Sequence, residues 1–303
     1  MDAAGVGAMS ATTKPETRIG VSSIREAIAW ASRRVRASAP RLAAEVLLAH
    51  VLNVPRAYLL AHPERALSPD EWEAFAQLVA RSGQGEPLFY LIGEREFYGM
   101  PFRVTPAVLI PRPETEGLID AALEWARSRA YRAYAPLVFA DIGTGSGCIA
   151  VALAVYLPNS RGYATDLSSE ALEVAQGNAA RHGVASRLDF LQGDLCAPLP
   201  EPVDLLVANL PYVARSEWAD LDPAIREYEP ILALDGGPDG LDLIRRFLAQ
   251  APGYLRPMGA VFLEIGAGQG PTVLELARAA FPRAVIRLLR DVAGLDRVVA
   301  ITH

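Results

Sequence analysis

Four residues, Asn209-Leu210-Pro211-Tyr212, follow an apolar run from Val203 to Ala208 that reads as a β-strand. The side-chain oxygen of Asn209 and the backbone carbonyl of Leu210 are two acceptors, which suits the two hydrogens of one NH2 group. Pro211 biases Leu210 towards extended backbone and so fixes the direction of that carbonyl. Tyr212 adds an aromatic wall. These residues make a compact site for a planar amine-bearing group, with the third direction of its nitrogen aimed at an electrophile. In isolation the same residues are also an ordinary strand end with an Asn-x-Pro turn.

A second constellation raises the weight of the first. The strand Leu137 to Ile142 runs into Asp141-Ile-Gly143-Thr144-Gly145-Ser146-Gly147, and a helix follows at once. Such a turn lets a ligand approach the backbone and meet the free N–H groups of a helix start. Asp166 closes the next strand and Asp194 follows the third. In a doubly wound sheet all of these lie along one carboxyl edge, where ligands bind. Asp166 suits a ribose diol, and Asp194 with Leu195 can flank an adenine ring. The cofactor-binding candidates are therefore Asp141, Gly143, Thr144, Gly145, Ser146, Gly147, Asp166, Asp194 and Leu195, with Asn209 shared by cofactor and reacting group. Glu264-Ile-Gly266-Ala-Gly268-Gln-Gly270 is a rival strand, glycine turn and helix. Only the terminal strand pair follows it, so it is assigned to closing the far side of the sheet.

Other residue types point to packing. His50, His62 and His182 share no spacing with one another or with a cysteine, so no metal is expected. Cys148 opens a helix where small residues pack. Glu116 suits a helix start, whereas the role of Glu114 stays open. Val213 to Pro238 is long for a connection and reads as a substrate-covering loop.

The elements that must position these groups fall into four segments. Residues 1–18 are small and polar and read as a disordered tail. Residues 19–88 read as a small helical bundle that suits a protein contact. Its helices carry Ile24, Ala27, Ile28 and Ala31 on one face, Leu42, Val46, Leu47, Ala49 and Leu52 on another, and a third starts at Ser68-Pro69-Asp70-Glu71. Residues 89–110 form a β-hairpin linker around Tyr98-Gly99-Met100-Pro101. Residues 111–303 start with a helix from Glu114 to about Arg129, then alternate short strands with amphipathic helices. Seven strands result, and the last two, too close for a helix between them, pair antiparallel. The fold class is α/β: a doubly wound, seven-stranded, mostly parallel, Rossmann-like sheet with a small N-terminal helical bundle and a connecting β-hairpin.

Composition limits the partners. With 303 residues, 51% of them hydrophobic, the chain can bury two cores. Its two cysteines cannot form a disulfide framework, and it has neither an evident leader nor an apolar run near bilayer length. A cytoplasmic location is expected. The net charge of −6 disfavours an extended grip on phosphates, so neither stable nucleic-acid binding nor membrane association is expected.

Together these motifs resemble the class I methyltransferases that use S-adenosylmethionine, and among them the Asn-Pro-Pro-Tyr group acting on planar nitrogens. Glu86-Pro-Leu, Gly93, Phe97-Tyr98-Gly99, Ile110-Pro-Arg-Pro-Glu-Thr-Glu116, Glu229-Pro230, Gly236-Gly237 and Asp239-Gly240-Leu241 narrow the resemblance to the PrmC/HemK family of protein-glutamine methyltransferases. It spans nearly all of the chain from residue 20 onward. Leu210 departs from it, standing where the family's commonest pattern has a proline; since the working group there is a backbone carbonyl, loop stiffness changes more than chemistry. The resemblance implies S-adenosylmethionine as methyl donor and peptide chain release factors as protein substrates, methylated at N5 of the glutamine in a Gly-Gly-Gln motif. Asn209, Leu210, Pro211 and Tyr212 are then the catalytic and substrate-binding residues, residues 19–88 are the substrate-docking domain, and no metal takes part. The alternatives are a glutamine of a ribosomal protein, the N6 of adenine in nucleic acid, an NAD-dependent dehydrogenase on the same sheet, or a non-catalytic binding module.

Overall fold

The computed structural model describes residues 22–129 and 136–303. The expected tail, residues 1–18, lies outside them. The chain divides into two compact units, one ending at Gln84 and the other running from Gly85 to His303.

The first unit is helical: α1 (Ile24–Ala31), α2 (Pro40–Leu52), α3 (Arg56–Ala61) and α4 (Pro69–Gly83). Local chemistry sets its boundaries. Ser23 and Ser68 each cap a helix through a reciprocal capping box, with Glu26 and Glu71 as the third helical residues. Apolar residues three or four apart then face inward, burying Ile24, Leu47, Leu48, Phe75 and Val79. Trp30 and Trp72 pack in a tilted arrangement beside them, ring centroids 4.8 Å apart. The one-turn-and-a-half helix α3 has no sequence signal, because six residues are too few to show a periodicity.

The second unit opens with α5 (Leu88–Ile92), then β1 (Glu94–Phe97) and β2 (Met100–Arg103). These two strands pair antiparallel through a tight turn at Tyr98-Gly99, in which both residues have positive φ. The helix α6 (Glu116–Arg129) begins after a short 3-10 turn, Pro113–Thr115. Alternation follows: β3 (Leu137–Ile142), α7 (Cys148–Tyr156), β4 (Ser160–Asp166), α8 (Ser169–Arg181), β5 (Leu188–Gln192), β6 (Val203–Asn209), α9 (Pro223–Tyr228), α10 (Asp242–Tyr254), β7 (Leu255–Glu264), α11 (Gly270–Ala280), β8 (Val285–Arg290) and β9 (Asp296–Thr302). The seven strands from β3 onward form one sheet in the order β5-β4-β3-β6-β7-β9-β8, with β9 antiparallel to both neighbours and every other pairing parallel.

Successive strand residues serve opposite layers. Phe139, Leu205, Val207 and Phe262 pack on one face with α6, α7 and α8, while Ala140, Ile142, Leu206 and Leu263 pack on the other with α10 and α11. Full burial of each large side chain among them contributes roughly 1.5–3 kcal/mol. The hairpin that follows the helical unit along the chain also packs into the second unit. Phe97 and Phe102 are buried in the first of these layers, and Asn178 of α8 exchanges hydrogen bonds of 2.8 and 3.0 Å with the backbone of Arg103. The hairpin is part of the second unit's core because its aromatic residues need a sheet face and helices to cover them.

Candidate active site

The sheet reverses its winding between β3 and β6: the chain builds outward to β4 and β5 on one side and returns to start β6 on the other. At that switch point the carboxyl ends of two adjacent strands splay and leave a crevice. A cavity of about 740 Å3 opens there, lined by Gly143, Thr144, Gly145, Ser146, Asp166, Asp194, Leu195, Asn209, Leu210 and Pro211 among others. Ligand sites are typically of this size.

Two of the predicted cofactor residues stand behind the cavity. Asp141 is wholly buried and does not line it. Its Oδ2 accepts from the Thr144 hydroxyl at 2.7 Å and from the Ala150 N–H at 3.1 Å, so it shapes the loop from beneath. Burial pushes its pKa up to about 7, with those two hydrogen bonds opposing. Gly147 also stands back: it has φ +77°, and a Cβ there would come within 2.9 Å of the Ala175 Cβ, so only glycine lets α7 start against α8. Cys148 next to it lines the cavity as a neutral thiol, pushed up to about 12 by burial.

The acids at the other two strand ends reach the cavity. Asp166 accepts from the Gly145 N–H through Oδ2 and the Ser168 N–H through Oδ1, at 2.9 and 3.0 Å. Burial raises its pKa and these backbone donors oppose the rise. Each oxygen keeps a lone pair for a ligand hydroxyl. Asp194 forms an ion pair with Arg246 of α10. Leu195 holds φ at 52°, unusual for a leucine, and its carbonyl accepts from the Thr165 hydroxyl at 3.0 Å while the next N–H, of Cys196, donates to Gln250.

The tetrapeptide meets the glycine loop directly. β3 and β6 pair from Phe139↔Leu205 to Ile142↔Ala208, which sets Gly143 beside Asn209. A Cβ on Gly143 would lie 3.2 Å from the Leu210 side chain and 3.9 Å from the Asn209 carbonyl. Leu210 is buried against the second apolar layer. Asn209 donates through Nδ2 to the Thr115 hydroxyl at 3.1 Å, which leaves Oδ1 at the other end of the planar amide as an acceptor. Tyr212 does not line the cavity; it packs behind, in the second apolar layer, and burial and then the neighbouring Glu264 push its phenol up to about 12.

Here the second glycine motif finds its place, and the expectation for it is corrected. β7 is not at the far side of the sheet but next to β6, so Glu264 and the Gly266 loop emerge at the same carboxyl edge. The Gln269 amide donates to the carbonyls of Tyr212 and Gly240 at 3.0 and 3.2 Å and accepts from the Gly266 N–H at 2.9 Å. Gly240, with φ +76°, must be glycine: a Cβ would sit 2.3 Å from the Tyr212 carbonyl. The motif braces the tetrapeptide.

Sequence reasoning also missed how the rim is fastened. Glu229, buried, joins the Arg112 guanidinium at 2.5 Å and the Ile110 N–H at 3.1 Å, tying the segment before α6 to the segment after α9. Both segments line the cavity, through Pro111, Arg112 and Pro230 to Ala233. The stretch Val213 to Pro238, expected as a covering loop, holds α9 and two 3-10 turns, and its ends are joined by Val213–Leu234 and Gly236–Val213 backbone bonds. Asn178, which binds the hairpin, also donates to the Ser146 carbonyl at 2.8 Å and so steadies the glycine loop. The only signal for such a residue is an asparagine amid small apolar ones, which no spacing rule separates from a surface position.

S-adenosylmethionine fits this donor set. The carboxylate of Asp166 suits ribose hydroxyls, the apolar groups of Ile149, Leu195 and Leu210 suit a purine and a thioether chain, and the acids Asp166 and Glu170 suit a cation.

Comparison with known proteins gives the family and the fold. Residues 26–93 match the PrmC N-terminal domain and residues 139–236 a methyltransferase domain. A release factor glutamine methyltransferase of Moorella thermoacetica is 48% identical over 278 residues, covering 90% of this chain and 96% of that protein. One of Cereibacter sphaeroides is 44% identical over 280 residues, 89% of this chain and 97% of that protein. Among solved structures, the hMettl16 catalytic domain in complex with MAT2A 3'UTR hairpin 6 superposes with a TM-score of 0.52 at 16% identity, over 74% of this chain and 81% of that one, a likeness of fold. By sequence along nearly its whole length, the chain belongs to the family of release factor glutamine methyltransferases.

Proposed function

We propose that the protein transfers a methyl group from S-adenosylmethionine to the side-chain amide nitrogen of the glutamine in the Gly-Gly-Gln motif of peptide chain release factors. The observation that carries this reading is the meeting, across β3 and β6, of the glycine loop with the Asn209-Leu210 segment, whose Asn209 Oδ1 and Leu210 carbonyl are the acceptor pair of the proposal. An amide nitrogen is a poor nucleophile because its lone pair is shared with its carbonyl. The donor, when bound, supplies a methyl group on a sulfonium whose positive charge is lost on transfer. The protein's share is orientation: Asn209 and Leu210 hold both N–H hydrogens, Pro211 stiffens the Leu210 carbonyl, and the nitrogen is left with one direction in which to react. Asp166 and the Gly143–Ser146 loop hold the cofactor, with Asp194 and Leu195 beside its purine. The N–C bond forms as the methyl–sulfur bond breaks to leave a neutral thioether, and the nitrogen then releases one proton to water.

The rim favours a protein substrate over nucleic acid. Ile231 and Leu232 are 61% and 54% exposed at its edge, Leu167 is exposed nearby, Glu170 lines the same cavity, and the lining arginines Arg112 and Arg246 are already held in ion pairs with Glu229 and Asp194. Apolar side chains and carboxylates suit a peptide loop and repel phosphates. The segment Val213 to Pro238 covers that loop, and the helical domain, residues 19–88, docks the body of the release factor. Stable nucleic-acid or membrane partners have no place in this reading, and among the described residues no helix is long and apolar enough to cross a membrane. Acting on factors of translation termination, the enzyme works in the cytoplasm.

Purified protein is incubated with labelled S-adenosylmethionine and, in parallel, release factors, ribosomal protein and DNA. Label on the Gly-Gly-Gln glutamine supports the reading; label confined to ribosomal protein or to DNA refutes it.

A further inference from the structure

We propose that Thr115 and Glu264 are positioning residues that fix which way round the Asn209 amide sits, keeping its oxygen turned to the substrate. This rests on the reading of Asn209 as the acceptor for the substrate NH2 group. An asparagine amide has nearly the same shape when its oxygen and nitrogen are exchanged, but the chemistry inverts. With Nδ2 facing the cavity, a donor would meet the two donors of the substrate nitrogen. Packing alone does not choose between the two arrangements.

Two elements converge on Asn209 to make the choice. Thr115 ends the 3-10 turn before α6, lines the cavity, and its hydroxyl accepts from Asn209 Nδ2 at 3.1 Å. Glu264 ends β7 directly beside Asn209 in the parallel register. Its carboxyl is 1% exposed, and the Thr115 hydroxyl and the Asn209 side chain both act on it to oppose the effect of burial. Its Oε2 has no hydrogen-bond partner among the described residues. The Thr115 hydroxyl gives its proton to the Glu264 carboxyl, so turning Asn209 over would set its oxygen against the Thr115 lone pairs and forfeit the donor that Nδ2 offers both groups; the oxygen therefore stays on the cavity side. A buried carboxyl works against stability and is not needed to fill the space, where glutamine or methionine would serve. Glu264 does not line the cavity, so it acts through Asn209 and Thr115 and does not touch substrate.

The test measures single-turnover methyl transfer to release factor, with cofactor affinity read by calorimetry. Thr115→Val and Glu264→Gln should each lower the rate at saturating substrate by about 10-fold or more, the cost of a misdirected group, with the affinity for S-adenosylmethionine unchanged. Thr115→Ser should restore it. In an Asn209→Ala background, neither substitution should lower the residual rate by more than about 2-fold, because coupled residues do not add. Wild-type rates in Thr115→Val, or full additional losses on top of Asn209→Ala, would overturn the proposal. The reading of the site fails separately: it falls if Asn209→Ala alone transfers normally, whatever Thr115→Val does.

Discussion

Glu264→Gln should change how stability depends on pH, by an amount that follows from where the carboxyl sits. Burial dominates its environment and raises it from 4.5 to about 7; Thr115 from the turn before α6, Arg297 from β9 and Asn209 from β6 oppose the rise, and Glu114 adds to it. Tyr212, the other titratable neighbour, stays neutral over this range, its pKa pushed up to about 12. The unfolded chain releases the Glu264 proton near pH 4.5 and the folded chain near 7. Between those values the folded state therefore binds more protons, and the contribution, fully present below pH 4.5, is lost as the pH rises through 7. The loss is about 3 kcal/mol over the window, most of it between pH 5 and pH 8, at roughly 1.4 kcal/mol per pH unit. Glutamine does not titrate, and Asp141, similarly raised, is common to both proteins and cancels in the comparison. Urea denaturation followed by circular dichroism at pH 5 and pH 8 measures the difference, which in a unit of this size amounts to roughly 5–10 °C in melting temperature. Parallel pH dependences for wild type and variant, agreeing within about 0.5 kcal/mol, would show that the carboxyl is not desolvated as described.

Asn209→Ala should lower single-turnover methyl transfer to release factor by on the order of 100-fold with the fold intact by circular dichroism, since a rotating nitrogen is misaligned; near-normal transfer would identify the tetrapeptide as a mere strand-ending turn. Asp166→Ala should weaken S-adenosylmethionine binding by at least about 10-fold in calorimetry, because each charge-assisted hydrogen bond to a ribose hydroxyl contributes roughly 1.5–3 kcal/mol, and unchanged affinity removes the assignment. Leu210→Pro should leave turnover within a few-fold, about 1 kcal/mol, because the carbonyl remains and the ring refills most of the space beside Gly143; a loss as large as that of Asn209→Ala would give the Leu210 side chain a part in catalysis. Deleting residues 1–84 should impair methylation of an intact release factor more than of a short glutamine peptide, and equal losses on both would leave the helical unit with no docking role.

Much of the fold was legible because its causes are local. The strands Leu137–Ile142 and Val203–Asn209 begin and end where an apolar run meets Pro, Gly or Asn, and the helices behind Ser23 and Ser68 begin where a serine and a glutamate three residues later satisfy the same backbone donors. Apolar alternation with a period near 3.6 then near 2 was enough to place the glycine loop, Asp166, Asp194 and Asn209 at strand ends, and so at one edge of a doubly wound sheet. Short pieces such as α3 and α5 were not legible, having too few residues to carry a period. Nor was the placing of the hairpin, whose phenylalanines show that they must be buried but not against what.

What only the tertiary structure decided is which strand ends touch. The sequence lists β3, β4, β5, β6 and β7 in order, whereas the sheet sets β6 beside β3 and β7 beside β6. That ordering brings Leu210 against Gly143, Glu264 beside Asn209, and Gln269 behind Tyr212, residues between 55 and 67 positions apart in each case by the numbering of the chain. It also withdraws Asp141, Gly147 and Tyr212 from the cavity surface into supporting positions. A hydrogen bond or a buried carboxyl needs its partner within a few ångströms, and that distance is set by strand order and register, which depend on how every apolar face in the sheet is covered at once. The types of the chemical groups are written locally; their mutual geometry is a property of the packed whole.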